Sequence, residues 1–266
     1  MNLSKQNAHP RDEYIQFFED GHKYIITCDP DSTYTSVTTW NHTHFPHFDA
    51  DKIITNIMKS RNWKPGHKYW GLTKEEIQKQ WSDNGAAASG AGTKMHYDIE
   101  CFMNNGDLDK GYTHQELLIA NTRQDDCKEW LYFLNFAKEH PHLKPYRTEW
   151  TVFHEDLKLA GSIDMVYENP DGTLAIYDWK RTKDISPVNY FNKYATTESI
   201  SHLPDTNFWH YTLQLNTYRA ILEAKYDKKV TDLFLVRLHP DSDDYELIPV
   251  PNIQREIAKL FAEINE

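Results

Sequence analysis

The feature that most constrains this chain is a four-residue turn, Asn169-Pro170-Asp171-Gly172, set between two runs of strand character, Ile163 to Tyr167 and Leu174 to Tyr177. Proline at the second turn position and glycine at the fourth are strong turn chemistry, so the flanking runs are expected to fold back as a β-hairpin. The turn is centred near Pro170 and Asp171. Asp164 and Asp178 are almost equally distant from that centre and should face each other across the two strands, to within a slip of one residue. Directly opposed like charges destabilise a sheet, with Cβ atoms roughly 5 Å apart, so the pairing makes most physical sense with a cation between them.

The two-residue period of a strand sends Asp178 and Lys180 to one face and Trp179 to the other. Trp179 is therefore expected to anchor while its neighbours remain available for chemistry. The same folding-back applies upstream, where His154 to Lys158 reads as the connection between strands at Tyr146 to Phe153 and Leu159 to Tyr167. Reflection about that connection brings Glu149 opposite Asp164. Glu149, Asp164 and Asp178 would then form a row across three adjacent strands, a set of hard oxygen ligands suited to magnesium or manganese. An Asp-x-Lys on a strand is by itself most often a solvated face. Three aligned acids beside a lysine have no such structural purpose, because crowded carboxylates cost stability unless paired or metal-bound.

Two helical pairs accompany this row. In Gly90-Ala91-Gly92-Thr93-Lys94-Met95-His96-Tyr97-Asp98-Ile99-Glu100, His96 and Glu100 are four apart and share one helix face. Ala86, Ala87, Ala88, Gly90 and Gly92 would let such a helix lie close against another backbone. Its imidazole could then complete a metal shell begun by carboxylates. The second pair is Gln214 and Tyr218, in a helical stretch from about Phe208 to Ala224 whose packing stripe is Leu215, Ile221 and Leu222. In isolation that pair reads as a polar rim.

Taken in order, Gly92-Thr93 with His96 and Glu100, then Glu149, then Gly161 with Asp164, then Asp178-Trp179-Lys180, then Gln214 with Tyr218, these motifs resemble the RecB-like branch of the PD-(D/E)XK nuclease superfamily. The resemblance covers roughly residues 86–224. It implies an α/β restriction-endonuclease-like core, a central mixed β-sheet flanked by helices. It makes His96, Asp164 and Asp178 metal ligands, with the backbone carbonyl of Trp179 as a further one. Lys180 would orient or activate the attacking water, and Glu149 resembles an additional acid near the metals or the water. Gln214 and Tyr218 correspond to a late helix motif that supports the strand or the lysine, and Glu100 to an early helix motif that touches metal or braces the fold. One or two Mg2+ or Mn2+ ions are implied.

Absences narrow the branch. The three cysteines, Cys28, Cys101 and Cys127, lack the grouped spacing of an iron-sulfur cluster, so none is expected. Sparse, unpaired cysteines suit a reducing compartment, cytoplasm or nucleus, with Cys101 and Cys127 read as helical core residues. Met1 to Pro10 has neither the apolar stretch of a secretory signal nor the Arg-rich amphipathic character of a mitochondrial one, and no transmembrane span or P-loop is seen. Strand separation would fall to a helicase or replication partner, or the substrate would already be single-stranded.

The length suits one compact domain, read as an N-terminal elaboration over residues 1–85 and a nuclease core over 86–266. Tyr14 to Phe18 and His22 to Cys28 form a plausible hairpin around Glu19-Asp20-Gly21, followed by a short strand at Ser36 to Trp40 and a helix beginning near Asp49. Thr73 and Glu76 make a capping-box pattern for a helix running toward Trp81. Another helix is expected from about Asn121 to Glu139, strands at Leu233 to Leu238 and Tyr245 to Ile248, and a closing helix from Ile253 to Ile264.

A net charge of -11 is unusual for a partner of nucleic acid, but its distribution is uneven. Lys52, Lys59, Arg61, Lys64, Lys68, Lys74 and Lys79 are interleaved with Trp63, Tyr69, Trp70 and Trp81. Such a mixture could grip phosphates and stack bases as a strand channel, or could be a solvated helix pair with aromatic anchors. Lys180, Arg181, Lys183 and Lys193 form a second basic group that could position DNA near the metals. The resemblance therefore implies a metal-dependent DNA nuclease, with an exonuclease on single-stranded ends as the expected form. An RNA or structure-specific endonuclease, or a non-catalytic nucleic-acid-binding module, are the alternatives. Glycoside hydrolysis is set aside because it has no role for Lys180.

Overall fold

The computed structural model describes residues 2–104 and 127–264. In chain order the elements are α1 (Asn2–Gln6), β1 (Ile15–Phe18), β2 (Lys23–Ile26), β3 (Thr35–Ser36), α2 (Val37–Thr43), α3 (Ala50–Lys59), α4 (Lys74–Asn104), α5 (Lys128–Glu139), β4 (Lys144–His154), β5 (Leu159–Glu168), β6 (Leu174–Lys180), α6 (Asn207–Lys225), β7 (Val230–Arg237), β8 (Glu246–Pro249) and α7 (Gln254–Ile264). The expected helix start near Asn121 lies outside the described residues.

The hairpin that organises the chain is β5–β6. Asn169 N–H donates to Thr173 O at 2.8 Å, Gly172 N–H to Asn169 O at 2.9 Å, and Gly172 takes the positive φ of 82° that its lack of a Cβ permits. Around this hairpin the strand order is β3-β5-β6-β7-β8, with β4 also paired to β5. β4–β5, β5–β6 and β7–β8 are antiparallel, whereas β3–β5 and β6–β7 are parallel. The parallel β6–β7 pair needs a crossover, and α6 supplies it.

Helices cover both faces of this mixed sheet. On one face Met95, Ile99 and Phe102 of α4 and Phe133 and Phe136 of α5 bury against Tyr177, Trp179 and Val236. On the other, Val37 of α2 and Leu215, Tyr218 and Ile221 of α6 bury against Ile163, Ile176 and Leu235. The N-terminal β1–β2 hairpin is present, and its Ile15, Tyr24 and Ile26 pack on Phe153 of β4 and Ala160 of β5. The central mixed sheet and its flanking helices are those implied by the resemblance, and the N-terminal hairpin is the one read around Glu19-Asp20-Gly21.

The described residues divide into two compact units, Met1–Pro46 with Met95–Glu266, and His47–Lys94. The division differs from a boundary near residue 85 because the hairpin's apolar residues are buried on the sheet, which ties the first 46 residues to it. In the unit His47–Lys94, Asp49 caps α3 through Lys52 N–H at 2.9 Å. Thr73 and Glu76 form the expected reciprocal box, with Glu76 N–H to Thr73 Oγ1 at 3.2 Å and Thr73 N–H to Glu76 Oε2 at 2.7 Å.

Four local expectations are corrected. The stretch from Ser36 to Trp40 is not a strand: Ser36 Oγ accepts Thr39 N–H at 3.0 Å and starts α2. The helix begun at Thr73 does not stop near Trp81 but continues for 31 residues through Gly85, Gly90 and Gly92, its alanines offsetting the weak propensity of glycine. Ala86 to Ala88 are exposed, and among the described residues nothing lies within 4 Å of a Cβ built on Gly90 or Gly92, so this stretch makes no close helix approach. Cys127 is exposed at the N-cap of α5 instead of buried in a helix.

Candidate active site and metal centre

β4, β5 and β6 carry the acids. The β5–β6 ladder holds the register that the turn implies, Met165 opposite Tyr177, which makes Asp164 and Asp178 the next residues along their strands. There the backbone ladder ends. Asp164 Oδ2 instead accepts the Trp179 N–H at 3.0 Å, so a side chain satisfies the donor that a strand would otherwise bond. On the other side, Thr148 pairs with Met165 and Trp150 with Ile163, leaving Glu149 opposite Asp164.

Glu149 has φ of 42°, a left-handed conformation uncommon for a residue with a Cβ. The strand changes faces around it. Thr148 Oγ1 receives Asn104 Nδ2 of α4 at 2.8 Å, whereas Trp150 lies in the cluster that packs on α6. Across the ladder Met165 belongs to the α4–α5 cluster and Ile163 to the α6 cluster. Glu149 and Asp164 thus sit where both strands turn over, a placement that strict alternation would not give.

His96 reaches this point from α4. Its Nε2 is 2.9 Å from Trp179 O, while Nδ1 is 3.5 Å from Asp164 Oδ2 and 3.8 Å from Glu149 Oε1. A carbonyl can only accept, so Nε2 carries the proton in that bond and Nδ1 faces the acids. One ligand atom from each of His96, Glu149 and Asp164 lies within 4.8 Å of the others. Glu149 is in turn held by Ser162 Oγ, which donates to Oε2 at 2.9 Å.

Asp178 stands beside this triad rather than within it. Its carboxylate is almost fully buried, 2% exposed, and its Oδ2 is 2.6 Å from Lys180 Nζ. Lys180 Nζ also lies 4.5 Å from the centre of the Tyr211 ring of α6. Trp179, on the opposite face, is buried edge-on to Phe133 and Phe136, the anchoring role its alternation implies.

The electrostatics report crowded negative charge. Burial raises the Asp164 pKa, and the Glu149 carboxylate raises it further against the opposing pull of His96. Asp178 is raised by burial and by Asp164, with Lys180 opposing. Burial works against the His96 imidazolium, yet Asp164 and Glu149 outweigh it and lift its pKa to about 9. Lys180 is raised likewise, desolvation being outweighed by Asp178 and Asp164. One imidazole nitrogen and two carboxylates suit a divalent ion of the first transition row or magnesium.

A family model for the PD-(D/E)XK nuclease superfamily matches residues 100–266, the stretch that contains Glu149, Asp164, Asp178 and Lys180. The chain belongs to the PD-(D/E)XK nuclease superfamily. Members of that superfamily are nucleases that use divalent metal ions, and membership implies a phosphodiester hydrolase. His96 stands ahead of the matched stretch. A search of curated proteins returns no match. Among solved structures the one titled "Crystal structure of SSO0001" is similar at 16% identity over 50% of this chain and 55% of that one, with a TM-score of 0.26. The chain spans about half the length of that structure.

Other anticipated residues of this PD-(D/E)XK chain are placed unevenly. Gln214 and Tyr218 are buried, not rim residues, and Tyr218 lies so close to β5 that a Cβ on Gly161 would stand 2.7 Å from its hydroxyl oxygen. Glu100 is half-buried one turn from His96, its pKa raised by burial and by Glu149. Arg181 Nε is bound to Glu129 at 2.5 Å, and Lys183 pairs with Asp241 at 3.0 Å, so neither cation stands free beside the acids. Lys64, Lys68, Trp63 and Trp70 lie in the unit His47–Lys94, where Trp63 and Trp70 rings are 5.7 Å apart and the Lys68 ammonium is 5.0 Å from the Tyr69 ring.

Two residues at the site were not anticipated. Ser162 lies inside Gly161-Ser162-Ile163-Asp164, two residues before Asp164, and its hydroxyl reaches Glu149 diagonally across the β4–β5 ladder. Tyr211 was within reach of the sequence, since it precedes Gln214 by three and Tyr218 by seven on one helical face.

Proposed function

We propose that this nuclease is a divalent-metal-dependent deoxyribonuclease of the RecB-like branch, an exonuclease acting on single-stranded DNA ends in replication, repair or recombination. The observation that carries the reading is the convergence of His96 Nδ1, Glu149 and Asp164 beside the buried Asp178–Lys180 pair. His96, Glu149 and Asp164 would hold magnesium or manganese, with Asp178 at the flank. A bound ion would stabilise charge developing on the scissile phosphate and lower the pKa of water to near neutral.

The chain's own groups do the rest. Trp179 O fixes the His96 tautomer, and Ser162 fixes the Glu149 carboxylate. Lys180, held charged by Asp178 and steadied by the Tyr211 ring, orients the attacking water and offsets negative charge on the phosphate. The single strand would be supplied by a helicase or replication partner or by the substrate itself.

Asp164→Ala is expected to lower cleavage of end-labelled single-stranded DNA in magnesium or manganese by roughly 10²–10³-fold or more. Unchanged cleavage would remove the site. Closed single-stranded circles should survive while linear strands are degraded, and equal degradation would end the exonuclease reading. A parallel RNA substrate separates the deoxyribonuclease reading from its alternative.

A further inference from the structure

The segment between β6 and α6 carries two neighbouring aromatic rings almost wholly in solvent, Tyr190 at 84% and Phe191 at 83% exposed. Burying either ring would be favourable, so a pair left outside is a feature to be explained. The segment that carries them is braced. Phe191 N–H donates to Asn189 Oδ1 at 2.7 Å, Asn189 Nδ2 donates to Asp205 O at 2.7 Å, and Trp209 Nε1 donates to Pro187 O at 3.0 Å. Behind the rings, Tyr194 and Pro204 form an antiparallel bridge.

In the chain, the segment that carries the rings connects the candidate site to α6. The segment leaves the sheet directly after Lys180 and returns at α6, whose Tyr211 ring lies 4.5 Å from Lys180 Nζ. Pro187 is fastened to Trp209, two residues before Tyr211, and Tyr190 follows Pro187 by three residues, a reach of about 10 Å. Lys193, two residues beyond Phe191, is exposed and adds positive charge beside the rings.

We propose that Tyr190 and Phe191 form a stacking platform for unpaired bases of the nucleic-acid strand whose backbone enters the site at Lys180. The proposal rests on the nuclease reading of that site. A strand crossing the site presents phosphates to cations and leaves its bases needing an apolar surface. Adjacent aromatic rings accept any base because every base has a π-face. Lys193 favours this occupant over an apolar protein surface, which would gain nothing from the charge.

The test compares the intact protein, Tyr190→Ala/Phe191→Ala and Tyr190→Trp/Phe191→Trp. Each is mixed with a fluorescein-labelled 20-mer of thymidylate and with the same 20-mer abasic throughout, with anisotropy read in EDTA. The intact protein should bind the base-containing strand at least tenfold more tightly than the abasic strand. The alanine pair should bind both at the abasic level, and the tryptophan pair should restore the preference. Thermal melting should be unchanged in all three, because the rings are exposed.

Retained base preference in the alanine pair overturns the proposal, as does absence of any preference in the intact protein. Light scattering that shows a dimer broken by the alanine pair also overturns it, by assigning the rings to a second copy. Cleavage assays in magnesium run alongside. Intact cleavage with no base preference rejects the platform alone, and base preference without cleavage rejects the nuclease reading alone.

Discussion

Gly161 and Gly90 are both glycines inside regular elements, and the structure treats them oppositely. A Cβ on Gly161 in β5 would meet the Tyr218 hydroxyl oxygen at 2.7 Å and ring carbon Cε1 at 2.8 Å. On Gly90 in α4, among the described residues, it would meet nothing within 4 Å. The sheet region is held by tertiary packing that leaves no room for a methyl group. The helical stretch depends on propensity and local caps, as the Thr73–Glu76 box does at its start.

Burial, aided by Lys225, pushes the pKa of His154 in β4 down to about 4. An unfolded histidine titrates near ~6.5, so between these values the unfolded chain binds a proton that the folded chain refuses. The contribution of His154 to the unfolding free energy is expected to fall as pH drops from about 6.5 to about 4, by on the order of 3 kcal/mol, while the raised Asp164 and Asp178 act in the opposite direction. Urea titrations of the intact protein and of His154→Leu across that range check it, because the stability of the intact protein relative to the variant should fall as pH drops.

Gly161→Ala should cost about 1–3 kcal/mol in the same titrations, because the Tyr218 ring is buried against Leu215 and Ile221 and cannot withdraw freely. Cleavage should fall with it, since Ser162 and Asp164 follow on the same strand. A neutral Gly161→Ala would show that the two regions are equally loosely packed. The smallest effect is expected from Gly90→Ala, a stabilisation of about 0.5–1 kcal/mol from helix propensity and the open space around it. Destabilisation there would mean that the helix is packed as tightly as the sheet.

Much of the site was legible in the letters because it depends on local rules. A Pro-Asp-Gly turn has a centre, a hairpin about that centre has a register, and the register puts Asp164, Asp178 and Glu149 on neighbouring strands. The alternation that buries Trp179 and leaves Lys180 beside Asp178 is equally local. Less legible was Ser36 to Trp40, where β-branched residues suggest a strand but a serine cap starts a helix. The basic group after β6 was legible as composition, whereas the pairing of Arg181 with Glu129 and of Lys183 with Asp241 was not.

The sequence by itself determined the hairpin, its register and the acids it carries, because turn chemistry and the two-residue strand period act over a few neighbouring residues. Only the tertiary structure decided which of those acids converge. Glu149 adopts a left-handed φ, β4 and β5 turn over together, and a helix more than fifty residues upstream in the chain delivers His96 to the Trp179 carbonyl. Such a conformation is unfavourable for an isolated glutamate and persists where packing on both faces of the sheet holds it, which no local pattern of residues encodes.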